Sequence, residues 1–403
     1  MSALQSLQGL AKNASAAATL ADIGLPTPRL EGWKYLSLRT LENTEFAAPQ
    51  ARAAITALGE YDVPGFQAAR LVWVNGQFQP KLSDSVDGVF VSESPTDWDR
   101  VPVNRDGFCA ANAAAGNLIQ FSIAPGLSLP LHCLFLSVAE DAPVAAQPRI
   151  QWKIAANAQV TLLEQHAGGA GNLVNSVQSF DLARDAGVTR YKLMSAKGDY
   201  NTAQTRADVD ANARFENHVL DLGGKLHRDE IQVALNAEHA FTRLNGLSCV
   251  NGREVSDSHT RIEHRVPNTT SAQHYRGIAD GRGKSVFNGV VVIEKDAQKS
   301  ATEQKNANLL LSDKAEINPK PELQIHADDV TASHGSTVGN LDPAQLFYLR
   351  QRGIGLAEAR ALLTFAFAEQ IAEALPSEAL ARAVEKRLAT VLPAVEVIGD
   401  VIE

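Results

Sequence analysis

Between about residue 118 and residue 333, short alternating runs are each opened by a small polar corner, and the spacing of these corners limits the fold more than any other feature. The corners are Ala156-Asn157-Ala158, Asp185-Ala186-Gly187, Ala211-Asn212-Ala213, Asn236-Ala237, Asp280 to Gly283, and Asp313 to Ala315. With Ala158, Gly187, Ala213, Ala237, Gly283 and Ala315 as markers, the steps are 29, 26, 24, 46 and 32 residues, and the longest reads as two shorter coils. Asn, Asp and Gly turn a chain tightly because they tolerate backbone angles that other residues avoid. A quasi-repeat of this length is the mark of a solenoid, each unit of which buries its apolar face only against its neighbours. The runs between corners, such as Gln159 to Gln165 and Arg190 to Met194, carry no helical periodicity. Stacked coils would pair every strand with those above and below, so the expected core is a parallel β-helix rather than a β-sandwich.

The flanks read differently. Residues 3 to 22 form an Ala- and Leu-rich helix with Leu4, Leu7, Leu10 and Leu20 on an apolar face, stopped by Gly24, Pro26 and Pro28. Leu71-Val-Trp-Val-Asn-Gly-Gln-Phe78 is a hairpin, because Asn75-Gly76 suits the positive φ angles of a type I′ turn. At the other end Asp342-Pro343-Ala344-Gln345 opens a helix, with an acceptor at the N-cap and Pro at the first position. Gly353 and Gly355 interrupt it. A second helix runs from Leu356 to Leu375, with Leu363, Phe367 and Ile371 on one face, and Pro376 ends it. Ser377 then caps a third, striped by Leu380, Val384, Leu388 and Val391. The expected organisation is an N-terminal helical region (1–70), a hairpin and linker (71–117), a β-helix core (118–341) and a small all-helical domain (342–403).

Composition narrows the function. Lys plus Arg number 37 against 46 Asp plus Glu, a net charge of −9, which argues against a nucleic-acid surface. No run of about 18 apolar residues occurs and the N-terminus lacks a signal-peptide pattern, so no membrane association and a cytoplasmic location are expected. Cys109, Cys133 and Cys249 are too dispersed for a disulfide framework or a self-contained cluster site.

Two strings imitate active sites. Gly281-Arg-Gly-Lys-Ser285 ends like a phosphate-binding loop, but Ile278 stands where the first glycine is needed, and a strand follows instead of a helix. It reads as a solenoid corner. Six of the ten histidines lie between His218 and His274, yet His259 and His264 are five apart and would face opposite sides of a strand. Asp257 near His259 and Glu263 beside His264 sketch an acid–base pair that a solvated strand face explains as well. The segment Asp328 to Gly339 is the most unusual: His334 among Ser333, Gly335, Ser336 and Gly339 reads either as a hydrogen-bonded structural corner with close backbone approach or as an exposed imidazole able to ligate iron or move a proton.

Asn318-Pro-Lys-Pro-Glu-Leu-Gln-Ile-His-Ala-Asp-Asp-Val330, Ser333-His-Gly-Ser-Thr-Val-Gly339 and Leu346-Phe-Tyr-Leu-Arg-Gln-Arg-Gly-Ile354 together resemble the signature block of the SUF-system scaffold family for iron-sulfur cluster assembly. Gln298 to Ser312, Val286-Phe-Asn-Gly289 and Trp33-Lys-Tyr-Leu-Ser-Leu-Arg39 extend the resemblance, and the length and few cysteines look like the SufD branch rather than SufB. The resemblance implies a mainly β fold, a right-handed parallel β-helix between helical ends. It also implies a scaffold rather than an enzyme, with a SufB-like partner on the β-helix and a SufC-like ATPase on the C-terminal helices; a homodimer is open to the isolated chain. His334 is the matched iron or nascent-cluster donor at the SufB interface, with no cofactor held stably by the chain alone and the cluster assembled transiently in the complex. SufD-type chains can carry Cys where this one has Ala332, so a thiolate from that position is excluded. A carbohydrate-active β-helix enzyme, or a purely structural partner subunit, is the alternative.

Overall fold

Asn157, Asp185, Asn212, His239, Asn268 and Lys299 all have φ between 57° and 63°, and they stand 28, 27, 27, 29 and 31 residues apart. They form one set of corners in the computed structural model, which describes residues 2–50, 55, 58–95, 106–372, 375 and 377–391. A second set falls on Gly198, Gly224, Gly252 and Gly281, all with positive φ. Each coil therefore turns twice. Gly283 and Ala315 belong to the second set, so the 46-residue step spans one and a half coils and not two short ones.

The strands are β1 (Ala69–Val74), β2 (Gln77–Phe78), β3 (Val89–Pro95), β4 (Asn117–Ile123), β5 (Ser128–Ser137), β6 (Ala145–Ala146) and β7 (Arg149–Ile154). Regular two-strand coils follow: β8 (Gln159–Gly168), β9 (Leu173–Leu182), β10 (Gly187–Met194), β11 (Tyr200–Val209), β12 (Arg214–Asp221), β13 (Leu226–Leu235) and β14 (Phe241–Val250). The stack ends with β15 (Val255–His264), β16 (Thr270–Ala279), β17 (Lys284–Ile293), β18 (Ala301–Leu310), β19 (Glu316–Ile325) and β20 (Thr331–Gly339). The first sheet runs β2-β1-β5-β8-β10-β12-β14-β16-β18-β20, and the second β19-β17-β15-β13-β11-β9-β7-β4-β3, with β6 beside β9. This is a parallel β-solenoid. Antiparallel pairing closes its beginning, β2 on β1 and β3 on β4, and Asn75 and Gly76 both have the positive φ of the expected hairpin turn.

The interior changes along the stack. Near the closed end it is aromatic, with Trp73 stacked on Phe135 and Phe121 on Trp152 at 4.6 Å each. In the middle it holds ions: Arg190 and Lys192 are wholly buried, paired with Glu164 and Asp229 at 2.6 Å. Toward the last coils it is lined by Thr302, Gln304, Asn306 and Asn308, all buried.

The expected N-terminal helix is two, α1 (Ala3–Gly9) and α2 (Ala14–Ile23), because Asn13 takes the N-cap and accepts from the Ala16 N–H at 3.1 Å. Gly24 ends α2 as anticipated. Short α3 (Arg39–Glu42) follows, and α4 (Gly107–Ala115) lies on the second sheet beside β9. At the C-terminus Asp342 caps α5 (Pro343–Gln351) and Ser377 caps α7 (Glu378–Val391), with α6 (Leu356–Ala372) between them; Pro376 lies outside the described residues. The α7 stripe of Leu380, Val384 and Leu388 is buried, but α6 buries Ala361, Thr364, Phe365, Ala368, Ile371 and Ala372, while Leu363 and Phe367 stay half-exposed. The reason is tertiary: α6 and α7 pack on the outer face of the first sheet, against Tyr191, Leu220, Leu247, Ile278 and Leu309. Burial of each large side chain there contributes about 2 kcal/mol, which ties the helices to the solenoid.

Candidate functional site: the open end of the solenoid

The last coil has no lid among the described residues. On β20 only Ala332 is even half-buried, and every other residue is exposed. Among the described residues its outer backbone edge is unpaired, as is that of β19. An edge of this kind invites strand addition. Pro319 and Pro321 lie two apart on β19, so both missing N–H groups fall on one side of the strand; proline is tolerated in a sheet where that side has no partner. Ile325 and Val338 are exposed here at 41% and 45%.

His334 is in the middle of β20, opposite Gln304 of β18. The same register column runs back through Gln273, Leu244, Asn217 and Arg190, all buried inside the solenoid. His334 thus stands on the inner face of the coil, left uncovered because no further coil follows. It makes no hydrogen bond with the described residues, and a Cβ on Gly335 or Gly339 would meet nothing within 4 Å. A structural corner held by close backbone approach is therefore not what the segment is. Beside it Ser336 Oγ donates to Asn306 Oδ1 at 3.2 Å, and Asn308 Nδ2 donates to the Thr337 carbonyl at 3.0 Å, fixing the strand. Beneath it Gln304 is fully buried, with both amide atoms unpartnered. Sequence reasoning passed over Gln304, since nothing local shows which face of β18 points inward.

The other candidates are not brought to this end. Gly281 forms the corner before β17, Ser285 Oγ shares a hydrogen bond with Ser248 Oγ at 2.8 Å, and Lys284 pairs with Glu316. His259 and His264 do face opposite ways. His264 is inside, between Thr269 and Ser271, and burial pushes its imidazole down to about 4. His259 is outside on Asp257 at 2.8 Å, and Glu263 is engaged by Arg261 and Arg265. Asp257 also holds Arg228, whose guanidinium lies 3.9 Å above Trp33. This explains the Trp33-Lys-Tyr segment as a strap on the second sheet, with Glu31 reaching Lys320 of β19. Cys109, Cys133 and Cys249 are separate and buried, and burial pushes each thiol up. Among the described residues no three His, Cys, Asp or Glu side chains converge as a metal site.

Fold and site together define a parallel β-solenoid with one closed end, one open end bearing an exposed imidazole, and helices docked on the outer faces of both sheets. A family model described as SUF system FeS cluster assembly, SufBD core domain, matches residues 135–367. The iron-sulfur cluster assembly protein SufD of Escherichia coli is 31% identical over 388 residues, covering 92% of this chain and 90% of its own. A SufBD family protein of Synechocystis is 32% identical over 92% of this chain and 88% of its own. SufD of Bacillus subtilis matches a shorter stretch, 36% over 141 residues. The chain belongs to the SufBD family of iron-sulfur cluster assembly proteins, and within it is similar to SufD.

Proposed function

We propose that this chain is the SufD-like scaffold subunit of a complex with a SufB-like protein and a SufC-like ATPase in the cytoplasm, that it has no enzymatic activity of its own, and that clusters form at its open end. The observation that carries the reading is that end itself: a coil whose inner-face residues and backbone edges are bare, with His334 at its centre. A solenoid terminus needs capping, and a second solenoid set end to end supplies both strands and residues. An imidazole there offers iron a neutral nitrogen. Iron-sulfur clusters are held mostly by thiolates, and the three thiols of this chain are buried away from that end, so cluster thiolates come from the partner. The iron and sulfide are cargo, present transiently.

The SufC-like subunit is assigned to the C-terminal helices. The buried faces of α6 and α7 are already spent on the solenoid, which leaves Phe347 and Tyr348 of α5, with Leu356, as the most exposed large apolar side chains among the described C-terminal residues, at 63%, 55% and 50%. Co-purification with both partners followed by iron and sulfide analysis tests the reading. A 1:1 association with the SufB-like chain that is lost in Val338→Lys supports it; association untouched by that change refutes docking at the open end.

A further inference from the structure

At the closed end, far along the chain from His334, a cavity of about 440 Å³ lies between the hairpin, β4 and the segment entering β7. Its walls include Trp73, Phe78 and Ile119 on one side and Lys12, Gln147 and Arg149 on another. Arg149 is only 5% exposed. Its Nε donates to Asn112 Oδ1 at 2.8 Å, but Nη2 has no partner, and among the described residues no carboxylate lies within ion-pair distance. The nearby thiol of Cys109 does not balance the charge, because burial pushes it up to about 12. A buried cation without a counter-ion costs several kcal/mol, and the C-terminal end of α4, whose Ala115 and Gly116 also line the cavity, offsets at most about 2 kcal/mol of that.

A second donor is left over beside it. Gln147 Oε1 accepts from Asn175 Nδ2 at 2.7 Å, and Asn175 Oδ1 in turn accepts from Thr202 Oγ1, so the Gln147 amide is fixed in orientation. Its Nε2 is then a buried donor without an acceptor. Residues 147 and 149 are two apart in extended chain and present their side chains to the same side. The carboxylate among the described lining residues, Glu93, is exposed and occupied by Asn117 Nδ2 at 2.7 Å. Two unmet donors, one of them a buried guanidinium, beside aromatic walls call for an acceptor-only group on an apolar body.

We propose that this cavity binds a small organic oxyanion, a phosphate ester or carboxylate, with its charged head on Arg149, Gln147 and Lys12 and its body against Trp73 and Phe78. The planar guanidinium fork matches such a head. The site is independent of the open end and of cluster assembly.

Calorimetry on the full chain at constant ionic strength, with phenyl phosphate and inorganic phosphate as probes, tests this. Saturable binding is expected for both, at least tenfold tighter for phenyl phosphate because the ring adds apolar burial. Arg149→Gln should abolish it, and Lys12→Gln, at an exposed position, should weaken it about threefold. Absence of saturation by either probe up to about 10 mM, or unchanged affinity in Arg149→Gln, overturns the proposal. Should Arg149→Gln not fold, Gln147→Leu takes its place: at least a threefold loss supports the site, and no loss refutes it.

Discussion

Replacing Glu164 by Gln keeps the shape of a buried side chain and removes only its charge. Glu164 Oε2 accepts from Arg190 Nη2 at 2.6 Å and Nε at 3.0 Å and from Gln178 Nε2 at 2.8 Å, while Oε1 meets His166 Nε2 at 2.8 Å. Burial alone would raise the carboxyl, but the Arg190 guanidinium and His166 outweigh it and hold Glu164 well below the usual range. Two unit charges about 3 Å apart at an effective dielectric near 20 attract by about 5 kcal/mol. Breaking a buried pair by removing one member typically costs about 3 to 5 kcal/mol, since the other charge stays behind. Asp229, close enough to feel Arg190, softens this toward the lower figure. Glu164→Gln should therefore lower stability by about 3 kcal/mol, read as an earlier urea midpoint by far-ultraviolet circular dichroism. The double variant Glu164→Leu with Arg190→Met should recover most of the loss, because no orphan charge remains. A single variant within about 1 kcal/mol of wild type, or a double variant no better than the single, would refute the view that paired ions hold the middle coils together.

His334→Ala should leave the melting temperature and subunit ratios of the complex unchanged, since the side chain is exposed and unbonded, while iron and sulfide content falls; wild-type cluster content removes His334 from the site. Phe347→Glu combined with Tyr348→Glu should abolish co-purification of the ATPase without altering the circular dichroism of the chain, and retained binding moves that contact elsewhere. His264 is held at about 4 against 6.5 unfolded, so on acidification the unfolded chain takes up a proton that the folded chain refuses, and stability falls. His264→Asn should therefore lose about 1 kcal/mol less than wild type between about pH 7.5 and pH 5.5 in urea titrations, and parallel pH profiles would show that the imidazole does not carry the effect.

Where local chemistry decides conformation, the sequence was legible. Asn157, Asp185 and Asn212 occupy left-handed corners, Asn75-Gly76 makes the hairpin, and Asp342-Pro343 and Ser377 start helices. Lys299 takes the same left-handed geometry with no preference that would announce it. The spacing between Ala237 and Gly283 was misjudged because the first marker stands on one set of corners and the second on the other. Asn268, although an ordinary corner residue, was passed over in the same gap. The candidate site was legible as the string around His334, but not as the inner face of an uncapped coil. Pro319 and Pro321 were the one local sign that their strand lies at an edge.

The sequence by itself determined that the chain turns at regular intervals, that its ends are helical, and that it carries the signature of its family. Which residues face inward was decided only by tertiary structure. From β4 onward the parallel strands of successive coils pair 26 to 32 residues apart, and a one-residue slip would exchange a strand's two faces. Local alternation does not reveal the choice here, because the interior accepts Glu164, Arg190 and Lys192 while α6 and α7 bury Leu220 and Leu247 on the outside. With both faces buried and ions on the inner one, hydropathy alone loses the phase, and only the stacked coils restore it.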